Sequence, residues 1–297
     1  MAQAHKPILL DGSMGQEIVN RGGKSGYGEW SLAALHETPQ MVKDIHIDYI
    51  NAGADVITTN TYSTTRTRMR YAGIEDRFEE LVQLAGQLAQ SACDELDADH
   101  VKIAASFGPL EASYIKDFRL SFDEMVEQFG ELMTLLDPYV EIYLGETFST
   151  IQESRAFLTA AQGRGKTTWV SWTIHDHGET NLRSDETLID AIQSLEAFSP
   201  DAVLINCCTP DSIDSALLTL KNTGLPFGGY ANGFTEIPQT WISDAGVDQI
   251  ISRTDLTPEI YANHALNWVN VGANIVGGCC NVGPEHISQL RKTLDTL

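Results

Sequence analysis

Eight short apolar runs, each followed by a stretch with helical spacing, organise the chain. They are PILLDG (7–12), DVITTN (55–60), VKIAASFG (101–108), VEIYLGET (140–147), TTWVSWTI (167–174), AVLINCC (202–208), PFGGYAN (226–232) and ANIVGGCC (273–280). Near-continuous hydrophobicity, rather than alternation, marks strands buried on both faces, as in a parallel sheet. Residues 121–136 place Phe122, Met125, Val126, Phe129, Leu132, Met133 and Leu136 on one helical face, and Ser121 with Glu124 opens that helix as a capping box. Segments 184–198 and 284–296 predict further capped amphipathic helices, and 75–97 predicts a long one.

Strands alternating with helices predict a parallel sheet. Eight units with no linker or composition break between them predict a single (β/α)8 TIM barrel, of the α/β class, spanning 1–297. The turn after the first run, DGSMGQEI, is neither a dinucleotide fingerprint nor a P-loop, which argues against an open nucleotide-binding sheet.

In such a barrel the chemistry gathers at the C-terminal ends of the strands. Here those ends carry Asp11, Asn60, Ser106, Glu146, Asn206 with Cys207, Asn232, and Cys279 with Cys280. Cys207 and Cys208 end the sixth run and Cys279 and Cys280 the eighth, with one strand between them. Three thiolates drawn from two strand tips close in space suit Zn²⁺ and leave its fourth tetrahedral position open, which separates a catalytic zinc from a structural one. The plainer reading is four small buried residues. Cys93, on a helix, is expected to pack. The two histidines of HDHG (175–178) lack an evident third ligand, so a polar loop is expected there.

Composition narrows the partners. Forty-one acidic residues against 19 basic ones give a formal charge of −22, which argues against nucleic acid or an anionic membrane surface and is compatible with a cationic small molecule. The start, MAQAHKPILLDG, lacks a charged segment followed by an apolar run, and no run approaches the ~20 residues needed to span a bilayer. A cytoplasmic location is expected. Five cysteines, an odd count with adjacent pairs, then favour metal or catalysis over a disulfide framework. A Schiff-base aldolase is disfavoured because Lys102 alone lies in a strand, near its beginning.

The motifs DGSMGQEI (11–18), TTNTYS (58–63), GETFSTIQES (145–154), LINC (204–207) and IVGGCCNVGPEHI (275–287) resemble those of homocysteine S-methyltransferases, and the similarity runs from Leu10 to about Leu290. The resemblance implies a (β/α)8 barrel with Zn²⁺ on Cys207, Cys279 and Cys280; the adjacent Cys208 leaves an exchange of roles with Cys207 open. It places Asp11, Gly12, Met14, Gly15, Glu146 and Asn206 around homocysteine. Glu146 would take the ammonium, and the backbone N–H groups near Met14 and Gly15 the carboxylate. Asn232 is a candidate oxygen ligand when no thiol is bound, although Ala231 stands where relatives often carry proline.

The resemblance also implies a small methyl donor, since no folate or cobalamin module is present. Ser63 and Thr147 stand where betaine-type relatives place aromatic residues, which points to a sulfonium such as S-methylmethionine or S-adenosylmethionine before betaine or dimethylsulfoniopropionate. Trp30 and Tyr62 remain as aromatic partners for its cation. The segment 111–121 is shorter than the corresponding loop in many relatives. A corrinoid-linked component and a purely structural zinc barrel are the competing expectations.

Overall fold

A computed structural model describes residues 6–24, 30–177, 180–238 and 250–297. All eight expected strands form: β1 (Ile8–Leu9), β2 (Val56–Thr58), β3 (Lys102–Phe107), β4 (Ile142–Phe148), β5 (Thr167–Trp172), β6 (Ala202–Asn206), β7 (Phe227–Ala231) and β8 (Ile275–Gly278). They lie parallel in one sheet, ordered β1-β8-β7-β6-β5-β4-β3-β2. A parallel bridge between Leu10 and Val56, with Asp55 N donating to Leu9 O at 2.7 Å, joins the two ends and closes the barrel.

The helices form an outer layer: α1 (Met14–Asn20), α2 (Trp30–Glu37), α3 (Pro39–Asn51), α4 (Arg66–Tyr71), α5 (Phe78–Glu95), α6 (Phe122–Leu136), α7 (Ile151–Ala161), α8 (Leu188–Gln193), α9 (Pro210–Leu220), α10 (Pro258–Val271) and α11 (Pro284–Leu294). The Ser121–Glu124 capping box opens α6 as its spacing predicts. The expected helix over 184–198 is shorter. Thr187 caps α8, a 3₁₀ turn follows at Ser194–Ala197, and the Glu186 carboxylate is spent on Ile151 N at the start of α7. Likewise the segment 75–97 begins as a 3₁₀ turn, Glu75–Arg77, before α5.

Two apolar layers result. The larger fills the space between strands and helices, where Phe107, Phe129, Phe148 and Phe157 stack edge-on and tilted. The smaller is the barrel interior itself, made of Leu10, Val56, Ala104, Ile142, Leu144, Trp169, Ala202, Leu204, Tyr230 and Ile275. Strands buried on both faces need apolar residues at successive positions, which is why they read as runs in the sequence. The filled interior leaves one end, at the strand C-termini, for polar groups.

Candidate metal and acceptor site

The β6 strand ends at Asn206, and Cys207 turns out of it with a left-handed backbone, φ 54°. That turn brings its sulfur 3.9 Å from Cys280 Sγ. Cys279 joins them, all three sulfurs lying within 4.8 Å of one another. Cys208 faces the other way into the core between sheet and helices, where burial pushes its thiol up. The structure thus groups Cys207, not Cys208, with the pair from β8.

Three thiols this close cannot all ionise together. Cys207 takes the anion first, its sulfur accepting from Cys279, Cys280 and the Tyr114 hydroxyl, while Cys279 and Cys280 are held well above the usual thiol range by that neighbour. A divalent cation would relieve the repulsion. Tetrahedral zinc with bonds of about 2.3 Å sets its sulfurs about 3.8 Å apart, so the cluster fits the ion. Among the described residues this is the one group of His, Cys, Asp and Glu side chains so arranged. His175 and His177 instead meet Asp185 at 3.0 Å and Glu236 at 2.6 Å, as expected of a polar loop. Cys93 is buried in the core against α5's neighbours.

Glu146 sits at the end of β4 in a bulge. Gly145 pairs with Val170 and Phe148 with Trp172, so Glu146 and Thr147 together oppose Ser171. The bulge aims the Glu146 carboxylate inward, where it accepts from the Ser106 hydroxyl and, at 3.0 Å, from Tyr230 Oη. Burial raises its pKa to about 7, against the pull of those two hydroxyls. Asn206 holds the bulge: its Oδ1 accepts from Thr147 N (2.8 Å) and Ser171 Oγ (2.7 Å), and its Nδ2 donates to Thr147 Oγ1 (2.8 Å).

Asp11, beyond β1, accepts from Thr58 N at 2.7 Å and from the Thr58 hydroxyl. Burial raises its pKa, and the charge of Glu146 adds to the rise. Gly12 follows where a Cβ would stand 2.1 Å from Val282 O. Ser13 caps α1 through Gln16 N, leaving Met14 and Gly15 in its buried first turn. Helix first-turn N–H groups lack intrahelical acceptors, which suits them to an anion.

The remaining expected residues are less concentrated. Asn232 is buried beside the turn after β7, with its Oδ1 engaged by Phe234 N at 3.1 Å. Asn60 turns away, donating to Ser31 O. Tyr62 bonds Ser113 Oγ at 2.7 Å, and the Arg68 guanidinium stands 5.6 Å from its ring centroid. The side chain of Trp30 lies outside the described residues. Thr58, Tyr230 and Tyr114 were not singled out from sequence. Tyr230 lay two residues from the expected strand-end residue Asn232, whereas Tyr114 sits in a loop with no motif around it.

A family profile described as homocysteine S-methyltransferase matches residues 8–294. Homocysteine S-methyltransferase YbgG of Bacillus subtilis is 28% identical over 305 residues, covering 95% of this chain and 93% of its own. A selenocysteine methyltransferase of Astragalus bisulcatus is 26% identical over 330 residues, covering 99% of this chain and 94% of its own. The metallated homocysteine methyltransferase MmuM of Escherichia coli superposes with a TM-score of 0.80 at 25% identity, over 97% of this chain and 96% of that one. The barrel, its three converging cysteines and a match along nearly its whole length agree, and the chain belongs to the homocysteine S-methyltransferase family.

Proposed function

We propose that this protein moves a methyl group from a small onium donor, a sulfonium before others, to the thiol of homocysteine, giving methionine. The observation that carries the reading is the convergence of Cys207, Cys279 and Cys280 within 4.8 Å at the end of the barrel where Asp11 and Glu146 also lie. Zinc bound to the three sulfurs would hold a fourth thiol ionised near neutral pH while leaving it nucleophilic.

The chain's own residues then position the acceptor. Glu146, ionised, would pair with the homocysteine ammonium, and the two hydroxyls already on it favour that charged form. Asp11 assists from the neighbouring strand tip. Gly12 lets the backbone approach closely, and the first-turn N–H groups at Met14 and Gly15 would receive the carboxylate. Asn206 contributes through the bulge that aims Glu146. The oxygen of Asn232, proposed as a placeholder ligand, would first have to release Phe234 N. Trp30 and Tyr62 are assigned to the donor side. In the transfer the acceptor loses its thiol proton to solvent and gains the methyl, and the donor departs as a neutral thioether with the bonding pair.

A donor panel tests this: zinc-loaded protein with homocysteine and, separately, S-methylmethionine, S-adenosylmethionine, dimethylsulfoniopropionate or glycine betaine, with no folate or cobalamin. Methionine should form at one equivalent per sulfonium consumed. Turnover with betaine alone would overturn the donor assignment, and failure with every onium would shift the reading to a corrinoid-linked system. The match to a selenocysteine methyltransferase makes a selenol the second acceptor to test.

A further inference from the structure

The loop after β3 carries Tyr114 across the barrel end, and its hydroxyl lies 3.1 Å from Cys207 Sγ. Its backbone is left-handed, φ 65°, a costly state for a bulky residue that persists only where the surroundings over-determine it. Several contacts do so here. The Arg183 guanidinium stands 5.2 Å from the ring centroid. Arg183 is paired at 3.0 Å with Asp176, both side chains nearly buried, and Asp176 also accepts from Thr209 N and Ile237 N. Thr209 is two residues past Cys207, so the pair locks the loop to the sulfur-bearing turn. On the other side Ser113 is held by Tyr62 and Arg68, and the Tyr114 ring packs with Phe234, Ile237 and Ile250 beside Cys280.

We propose that Tyr114 is a positioning residue that shields the Cys207 sulfur from alkylation. The inference rests on the cluster being the methyl-transfer centre, but its test needs no turnover. A site that brings an onium methyl beside several sulfurs faces a problem of selectivity, because each sulfur is itself a nucleophile. Attack by Cys207 would form an S–CH₃ bond on the protein and break the donor's carbon–onium bond. The donor would leave neutral with the electron pair, and Cys207 would remain a thioether. A hydrogen bond from the Tyr114 hydroxyl occupies a lone pair of that sulfur and draws charge from it, and the ring covers its flank. Arg183 and Asp176 keep the hydroxyl on target.

The full chain, loaded with one equivalent of zinc, is treated with iodoacetamide, and the rate at each of Cys207, Cys279 and Cys280 is read by fragment-ion mapping of peptides. Tyr114→Phe should raise the Cys207 rate about ten-fold, the worth of one hydrogen bond, with Cys279 and Cys280 near their wild-type rates. The same comparison on the zinc-free chain, at a pH high enough to ionise the Cys207 sulfur in both proteins, covers a variant that loads metal poorly. A Cys207 rate unchanged by the variant in both states overturns the proposal, and so does an equal rise at all three sulfurs.

Discussion

Asn206 grips Thr147 with both ends of its amide, accepting from the Thr147 backbone N–H and donating to its hydroxyl, each at 2.8 Å. Thr147 needs the grip. It is β-branched and left-handed, φ 61°, a conformation such residues avoid. The bulge that directs Glu146 inward therefore depends on a side chain 59 residues away. Asn206→Ala removes three buried hydrogen bonds and strands the Thr147 N–H. It should cost roughly 2–4 kcal/mol in urea unfolding and weaken homocysteine binding through Glu146. Unchanged acceptor affinity would separate Asn206 from the acceptor site.

Glu146→Gln keeps the shape and removes the charge. A charge-assisted hydrogen bond is worth roughly 1.5–3 kcal/mol, so the homocysteine KM should rise about ten- to a hundred-fold. An unchanged KM would refute the ammonium role.

The same carboxyl sets a pH dependence. With a folded pKa of about 7, raised by burial, Glu146 is neutral below that pH. Acceptor binding should weaken as the pH falls through 7, and Glu146→Gln should lose that limb of the profile. Stability moves oppositely. The folded state holds the proton more tightly than the unfolded one, so this group's contribution is greatest below the unfolded carboxyl pKa and declines as the pH rises to 7, by on the order of 3 kcal/mol. Unfolding of wild type and Glu146→Gln at pH 5 and 8 checks the sign.

Metal content separates the adjacent cysteines. Cys207→Ser and Cys279→Ser should lose most of their zinc by elemental analysis, with loss of activity. Cys208→Ser, in the core away from the cluster, should retain zinc and lose only packing. Full retention by Cys279→Ser, or loss by Cys208→Ser, would redraw the ligand set.

Gly12→Ala would push a methyl to 2.1 Å from Val282 O and 2.9 Å from the Tyr49 hydroxyl. Backbone must move to accept it. The expected cost is about 1–3 kcal/mol, with weaker acceptor binding because Asp11 and α1 shift together. Wild-type stability would show that the β1 turn is looser than its contacts indicate.

The barrel was legible because strands buried on both faces must be apolar at successive positions, and most of the runs ended at a polar or thiol residue. The conspicuous cysteines were legible too, since GGCC and NCC fell at the tips of strands with one strand between them. The LINC resemblance pointed to Cys207 but left an exchange of roles with the adjacent Cys208 open. A single left-handed residue after β6 decides between them: Cys207 turns its sulfur to Cys279 and Cys280, while Cys208 packs into the core. The helix expected from Ser184 starts instead at Leu188, because its acidic residue caps a different helix, α7. Local periodicity and strand-end chemistry thus determined the architecture and the residue types of the candidate metal site. Tertiary structure decided the support that Asn206 gives the bulge at Glu146 and Tyr114's place on Cys207, because these contacts join residues 59 and 93 positions apart whose pairing leaves no periodic trace in the chain.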